Sequence, residues 1–442
     1  MEYLIPEGMT PASAQRVLAD RLELRAGTAG RADRVYYDTF DGRLHAAGLV
    51  VVHEAGELRL TSQDGQRVLA RLPMPRPQAR TFASSLPPGP LRDALTRLAG
   101  VRALLPRASV RSRERTLDVL NSERKTVVRM RLEQPQVGRV KLRPRLRLDP
   151  VRGYDKALRR VQEALGNGGG FELAPRALIE EAVVAAGARP EGVKAKVRVG
   201  LARDQPAGSA TAAVLEALLG VIEANLEGTI ADVDTEFLHD LRVSVRRTRA
   251  VQRELRAVFE ADRLRHFRTE FRWLQAITGD VRDLDVYLLG FEELRGLLSA
   301  ATGPNLDPML AVLRSRRAGA RRRMVRRLRS DRVSLLLAAW RQEIETLSAG
   351  PPIAELAGLR ISQVYRRMVK LGRAIEVDSP SESYHQLRKQ GKELRYLLEL
   401  FGAPLYPEDV VVPMVRRLKS LQDVLGRHQD REVQAAMLHA LS

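Results

Sequence analysis

FLHDLRVSVRRTRA, residues 237–250, and YHQLRKQGKELRYLLEL, residues 384–400, decide how this chain is read. Each carries one histidine and three cations at helical spacing. The first set is His239, Arg242, Arg246 and Arg249; the second is His385, Arg388, Lys392 and Arg395. At about 100° per residue these positions fall within an arc of roughly 80°, so each set projects from one side of one helix. Like charges three and four residues apart on a helix repel. A stripe built twice against that repulsion implies a multivalent anion to neutralise it. Guanidinium is permanently charged and matches phosphate oxygens bidentately. Each stripe spans about 15 Å of helix, which suits a chain of phosphates better than one phosphate.

A second pair of segments follows the first. LQAITGDVRDLDV begins at Leu274 and LQDVLGRHQDREV at Leu421, sharing Leu, Gln, a glycine (Gly279, Gly426) and an aspartate (Asp283, Asp430) in register. The stripe histidine precedes this leucine by 35 residues in one copy and 36 in the other. Two motifs in the same order at the same spacing indicate an internal duplication. Two roles are open for Asp283 and Asp430: partners that orient stripe arginines, or metal ligands. No His, Asp or Glu cluster has metal-ligand spacing, so neither metal nor cofactor is expected. Further cations are candidates for a rim: Arg247 and Lys389 beside the stripes, Arg366 and Lys370 on the preceding helix, and Arg322 and Arg326 on the most basic helix. For Arg314–Arg329 a plain solvated helix face is an equal reading.

With 442 residues, two or three domains are expected. The chain has 74 Lys and Arg against 54 Asp and Glu, a net +20 that points to a polyanionic partner. The excess is uneven. Residues 1–204 hold 37 basic and 23 acidic side chains, a net +14; residues 205–442 hold 37 and 31, a net +6. Absence of cysteine excludes disulfides and thiolate metal sites. MEYLIPEGMT lacks a basic segment leading into an apolar run, and no uninterrupted apolar stretch approaches 18 residues, so the cytoplasm is the expected compartment.

The first half reads as mixed α and β. Residues 10–24 are amphipathic. From Arg34, short alternating runs broken by Asp-Gly and Ala-Gly form an antiparallel meander, and from Ser109 a strand, a tight turn at Asn121–Ser122 and a second strand follow. Tyr154–Leu165 and Pro175–Ala186 are helical, separated by a loop at Gly166–Gly170. Residues 193–207 are a linker, and beyond it prolines at 304, 351, 352, 380, 404 and 407 punctuate a helical pattern. The expected chain is multidomain: an α+β antiparallel barrel or tunnel-like domain over 1–192, then an all-α domain over 208–442 built of two similar bundles, about 208–345 and 350–442.

The two stripe helices closely resemble the signature helices of the CHAD domain, the conserved-histidine α-helical domain, and the Leu-Gln, Gly and Asp segments match its companion motif. The resemblance covers about residues 205–442. It implies two pseudo-symmetric four-helix bundles around a basic pore, binding of inorganic polyphosphate and association with polyphosphate granules. The stripe residues occupy the family's basic positions without a gap, with Lys392 standing where Arg246 stands in the other copy. Residues 1–190 resemble a CYTH domain, a triphosphate-tunnel barrel. The catalytic Glu-x-Glu-x-Lys pattern of that family appears only as Glu2-Tyr3-Leu4-Ile5-Pro6, and its Arg-x-Arg is replaced by Val50–His53. Magnesium held against phosphates needs carboxylates, which this half has shed. The resemblance thus implies a degenerate tunnel that binds anions without hydrolysing them. Two rival functions stand beside non-enzymatic polyphosphate binding. One is a metal-dependent triphosphate or polyphosphate hydrolase using the N-terminal domain. The other is nucleic-acid binding, against which aromatic residues are only 5% of the chain.

Overall fold

The computed structural model describes residues 1–76, 78–166, 170–293, 295, 296 and 306–439, with only the helical course given for 427–439. Most of the expected Gly166–Gly170 loop, and Pro304, lie outside the described residues. The chain divides into two compact units, Met1–Lys194 and Ala195–Ser442.

In the first unit the strands are β1 (Glu2–Leu4), β2 (Leu24–Asp38), β3 (Leu49–Glu54), β4 (Glu57–Ser62), β5 (Val68–Pro73), β6 (Leu105–Leu120), β7 (Thr126–Val137), β8 (Val140–Lys141), β9 (Arg145–Pro150) and β10 (Glu172–Leu173). They form one antiparallel sheet in the order β10-β1-β9-β7-β6-β2-β3-β4-β5, with β8 added to β7. The meander turns where expected, because Ala55, Gly56 and Gly65 take positive φ. The β6–β7 turn is held by Asn121, whose side-chain oxygen accepts from the N–H groups of Glu123 and Lys125. β2 begins ten residues earlier than its alternating pattern. Leu24–Asp33 are almost wholly exposed, so no apolar period marks them, yet their ladder to β6 continues to Val119. Backbone pairing alone makes that half a strand.

Helices α1 (Pro11–Ala19), α2 (Arg43–Ala46), α3 (Pro90–Ala99), α4 (Asp155–Gly166) and α5 (Leu178–Ala185) cover parts of the sheet. Three apolar clusters result: Leu18, Val161 and Leu165 on Leu117, Met130 and Leu146; Leu44, Leu91 and Leu95 on Val51 and Leu60; Ile179 and Val183 on Val110 and Val52. Arg34 is buried on the same sheet and bonds Glu54, Glu114 and Glu133, from three different strands. Fully buried Arg145 pairs with Glu2 and Glu181, each at 2.7 Å. The carboxylates expected to be shed are therefore present and convergent. Those on Arg34 come from three separate strands and those on Arg145 from β1 and α5, which is why no linear pattern shows them, and they converge on arginine. Among the described residues no group of three or more His, Asp or Glu could hold a metal ion.

The second unit is all helical among the described residues: α6 (Ala207–Ala231), α7 (Thr235–Glu254), α8 (Ala261–Ile277), α9 (Gly279–Leu289), α10 (Asp307–Leu328), α11 (Asp331–Thr346), α12 (Ile353–Arg373), α13 (Ser381–Leu397) and α14 (Glu408–His439). A π-turn at Leu398–Gly402 and one short helical turn join α13 to α14. α6 is long and apolar enough by composition to cross a bilayer. Here it packs against α7 and also against α10, α11 and α12, with Val214, Leu215, Leu218 and Leu219 fully buried. The two sequence repeats share one continuous core, which runs from Ala207 to Leu418 and includes Trp340 and Phe401.

Candidate functional site

The stripes sit on α7 and α13. Asp234 caps α7 by accepting from the N–H groups of Glu236 and Phe237, which satisfies donors the first turn leaves open. Gly228 on α6 lets Phe237 lie flat against the helix, since a Cβ there would meet the Phe237 ring at 2.1 Å. Close packing of α6 on α7 fixes the azimuth of the first stripe. α13 packs against α12 and α14 and touches α7.

A cavity of about 210 Å³ opens where α7 and α13 meet, lined by Arg246, Arg249 and Arg253 from α7, by His385, Arg388, Lys389 and Lys392 from α13, and by Gln275 of α8. One carboxylate, Glu393, and the Tyr396 ring complete it. Stripes more than 130 residues apart in sequence thus face one space. Arg246, His385 and Lys389 have no hydrogen bond or ion pair to protein among the described residues. Arg249 bonds the side-chain oxygen of Gln275. Burial and the nearby charges of Arg253, Arg272 and Arg268 lower its pKa from the ordinary arginine range. Arg253 is tied to Glu254 at 3.0 Å and Glu393 at 2.9 Å. Burial pushes the Glu393 carboxyl up, against the pull of Arg253.

The other expected residues are placed elsewhere. Arg242 is buried and does not line the cavity. One of its terminal nitrogens donates to the Gln275 carbonyl and the Thr278 hydroxyl, both at 2.7 Å. Burial, then the charge of Arg246, lower its pKa to about 10. Arg247 turns into the helical core, where it pairs with Glu399 at 2.6 Å and donates to the Ala195 carbonyl. It lies some 80° around the helix from the start of the stripe, outside the stripe's arc. Arg395 is half-buried beside Glu399 and Tyr396, and His239 is half-buried on α7 outside the cavity lining. Arg322 and Arg326 on α10 and Arg366 and Lys370 on α12 are exposed, and none lines this cavity.

The duplication is visible in one repeated contact. Arg242 lies over Gly279, whose Cβ would stand 3.9 Å from the guanidinium; Arg388 lies over Gly426, where the distance would be 3.3 Å. The helix breaks at Thr278 in the first copy, because its hydroxyl turns back onto the carbonyls of Leu274 and Gln275. In the second copy Leu421 and Gly426 lie in one uninterrupted helix. Asp283 is among the charges that act on Arg242 but makes no ion pair with it. Asp430 lies outside the residues whose side chains are described.

Three contributors escape the two stripe motifs. Arg253 lies fourteen residues after His239, on the same arc, so extending the first stripe by one turn finds it. Arg268 and Arg272, on α8, carry no such signal beyond being four residues apart.

The family model of the CHAD domain matches residues 213–439, and the chain belongs to that family. No curated protein matches the chain. Among solved structures, the CHAD domain from the plant Ricinus communis is similar, with a TM-score of 0.49 and 26% identity over 56% of this chain and 82% of that one. PptA from Streptomyces chartreusis is similar with a TM-score of 0.41 and 19% identity, over 53% of this chain and 85% of that one.

Proposed function

We propose that the helical unit binds inorganic polyphosphate without transforming it, holding the phosphate chain in the cavity between α7 and α13. Convergence of the two stripes carries this reading: six cations and a histidine face one space against a single carboxylate. Membership of the CHAD family supports it. Burial and the charges of Arg253, Arg272 and Arg268 lower the pKa of Arg249, a penalty that an entering anion relieves. Recruitment to polyphosphate granules in the cytoplasm follows from the same reading.

The rival chemistries draw less support. Hydrolysis by a bound metal needs carboxylates with charge to offer, and Glu54, Glu114 and Glu133 are already engaged by Arg34, with Arg59 also on Glu54 and Arg131 beside Glu114. Binding of single-stranded nucleic acid draws on exposed rings for base stacking. The one aromatic side chain in the cavity, Tyr396, is buried beneath Arg247 and Arg395.

The test is binding of long polyphosphate to the full chain over a salt series, with single-stranded RNA of equal charge as competitor. Affinity should fall steeply with salt as counterions exchange, polyphosphate should displace RNA, and RNA should fail to displace polyphosphate. Displacement by RNA, or release of phosphate from tripolyphosphate with magnesium or manganese, would replace this reading with one of its rivals.

A further inference from the structure

A second cationic surface lies on the outward face of the N-terminal sheet. On β6, Arg111, Arg113 and Arg115 point outward while Val110 and Ser112 are buried. The ladder sets Arg31 of β2 directly opposite Arg113, and Asp33 opposite Arg111. On the other side, Gln134 and Gln136 of β7 stand opposite the same two arginines, and Lys141 of β8 stands opposite Gln136. Like charges directly across a sheet are destabilising, so the Arg31–Arg113 pair poses the same question as the helical stripes.

Two cavities adjoin on this face, of about 430 and 530 Å³, and share Arg31, Arg113 and Gln134. The first extends to Arg111 and Lys141, the second to Arg115 and the first turn of α1 at Thr10 and Pro11. The groove so formed carries five cations against two carboxylates, Asp33 and Glu114. Glu114 is occupied by Arg34. Asp33 lies 3.9 Å from Arg111 with both side chains at least 80% exposed, a pairing that contributes little. The positive end of α1 adds to the field at one end. No aromatic side chain lines either cavity, so nothing there stacks on a base. Each volume lies within the range of ordinary ligand sites, and their continuity suits a linear anion.

We infer that this groove is a second site for linear inorganic phosphate chains, carried by the N-terminal unit. The ligand class is that proposed for the helical cavity, while the residues and the test are independent of it. Calorimetric titration of the full chain with tripolyphosphate should resolve two binding events. Arg31→Ala with Arg113→Ala should weaken one event at least tenfold and leave the other. Arg246→Ala with Lys389→Ala should do the converse. Lys141→Ala, a milder change on a two-residue strand, should weaken the first event about threefold. If the helical cavity binds nothing, the parent shows one event that the Arg31, Arg113 variant removes, and this inference stands while the helical reading falls. A parent whose events are all insensitive to Arg31, Arg113 and Lys141 overturns it. So does displacement of tripolyphosphate from this groove by a single-stranded oligonucleotide of equal charge.

Discussion

Arg242 and Arg246 are one turn apart on α7 and look equivalent in sequence, yet their removal should have opposite consequences. Arg242 makes two charge-assisted bonds at 2.7 Å, to the Gln275 carbonyl and the Thr278 hydroxyl, which contribute about 1.5–3 kcal/mol each. Burial beside Arg246 opposes them, since it lowers the Arg242 pKa from the ordinary arginine range to about 10; at about 1.4 kcal/mol per tenfold in proton affinity this is about 3 kcal/mol. Truncation also leaves the α8 terminus short of a donor, for about 1 kcal/mol more. The balance is a loss of about 2 kcal/mol for Arg242→Ala, or about 4–8 °C in the melting temperature of this unit. Among the described residues Arg246 has no hydrogen-bond or ion-pair partner to lose, and its removal relieves Arg242. Arg246→Ala should leave the melting temperature unchanged or raise it slightly while polyphosphate affinity falls about tenfold, the loss of about 1.4 kcal/mol of binding. Thermal melts and binding titrations of both variants provide the test. Equal destabilisation by the two, or an unchanged melt for Arg242→Ala, would refute the division between a brace and a ligand.

Three further outcomes are expected. Gly426→Ala should stabilise α14 by up to about 1 kcal/mol through helix propensity. It should also weaken anion binding, because the new methyl group stands 3.3 Å from the Arg388 guanidinium and displaces it; a melt and a titration on one sample check both. Burial raises the Glu393 carboxyl, so the folded protein binds the extra proton above the ordinary glutamate range and stability declines as pH rises through that window. A bound polyanion raises the carboxyl further; affinity for long polyphosphate should therefore increase from pH 7.5 to pH 5.5, and Glu393→Gln should make that profile shallower, with His385 of the same cavity left in place. Arg34→Met should destabilise the N-terminal unit by about 3–5 kcal/mol at pH 8. It leaves Glu54, Glu114 and Glu133 facing one another without the guanidinium that holds the Glu54 carboxyl low, so protonation relieves the repulsion and the deficit should shrink toward pH 5 in denaturant titrations.

Much of this was legible in the linear sequence because helical geometry is periodic. Offsets of three and four residues sufficed to place Arg246, Arg249, Arg388 and Lys392 on facing walls, and the repeated Gly and Gln located the elements beneath them. The same periodicity says nothing about depth. Arg242 shares the stripe's arc but meets the end of α8, which buries it, and Arg247 finds Glu399 across the core from 152 residues away. The N-terminal half was less legible for a related reason. Strand alternation reports one buried face, so the exposed stretch of β2 and the convergence of three glutamates on Arg34 depended on pairing partners that no local pattern reveals.

Close to the cavity's cations stand three acids: Glu254 at the end of α7, Glu393 on α13, which itself lines the cavity, and Glu399 in the π-turn that follows α13, each within 4 Å of an arginine. Set this close together, the two signs partly cancel at a distance, so the field of the cations is strong inside the cavity and fades quickly outside. At cellular salt, charges are screened beyond about 8 Å, and residues 205–442 have a net charge of only +6. A polyanion approaching the helical half therefore meets little attraction until it is nearly in place. Capture there should be slow to begin and slow to end, governed by residence time more than by arrival. Long-range steering falls instead to residues 1–204, with their net +14.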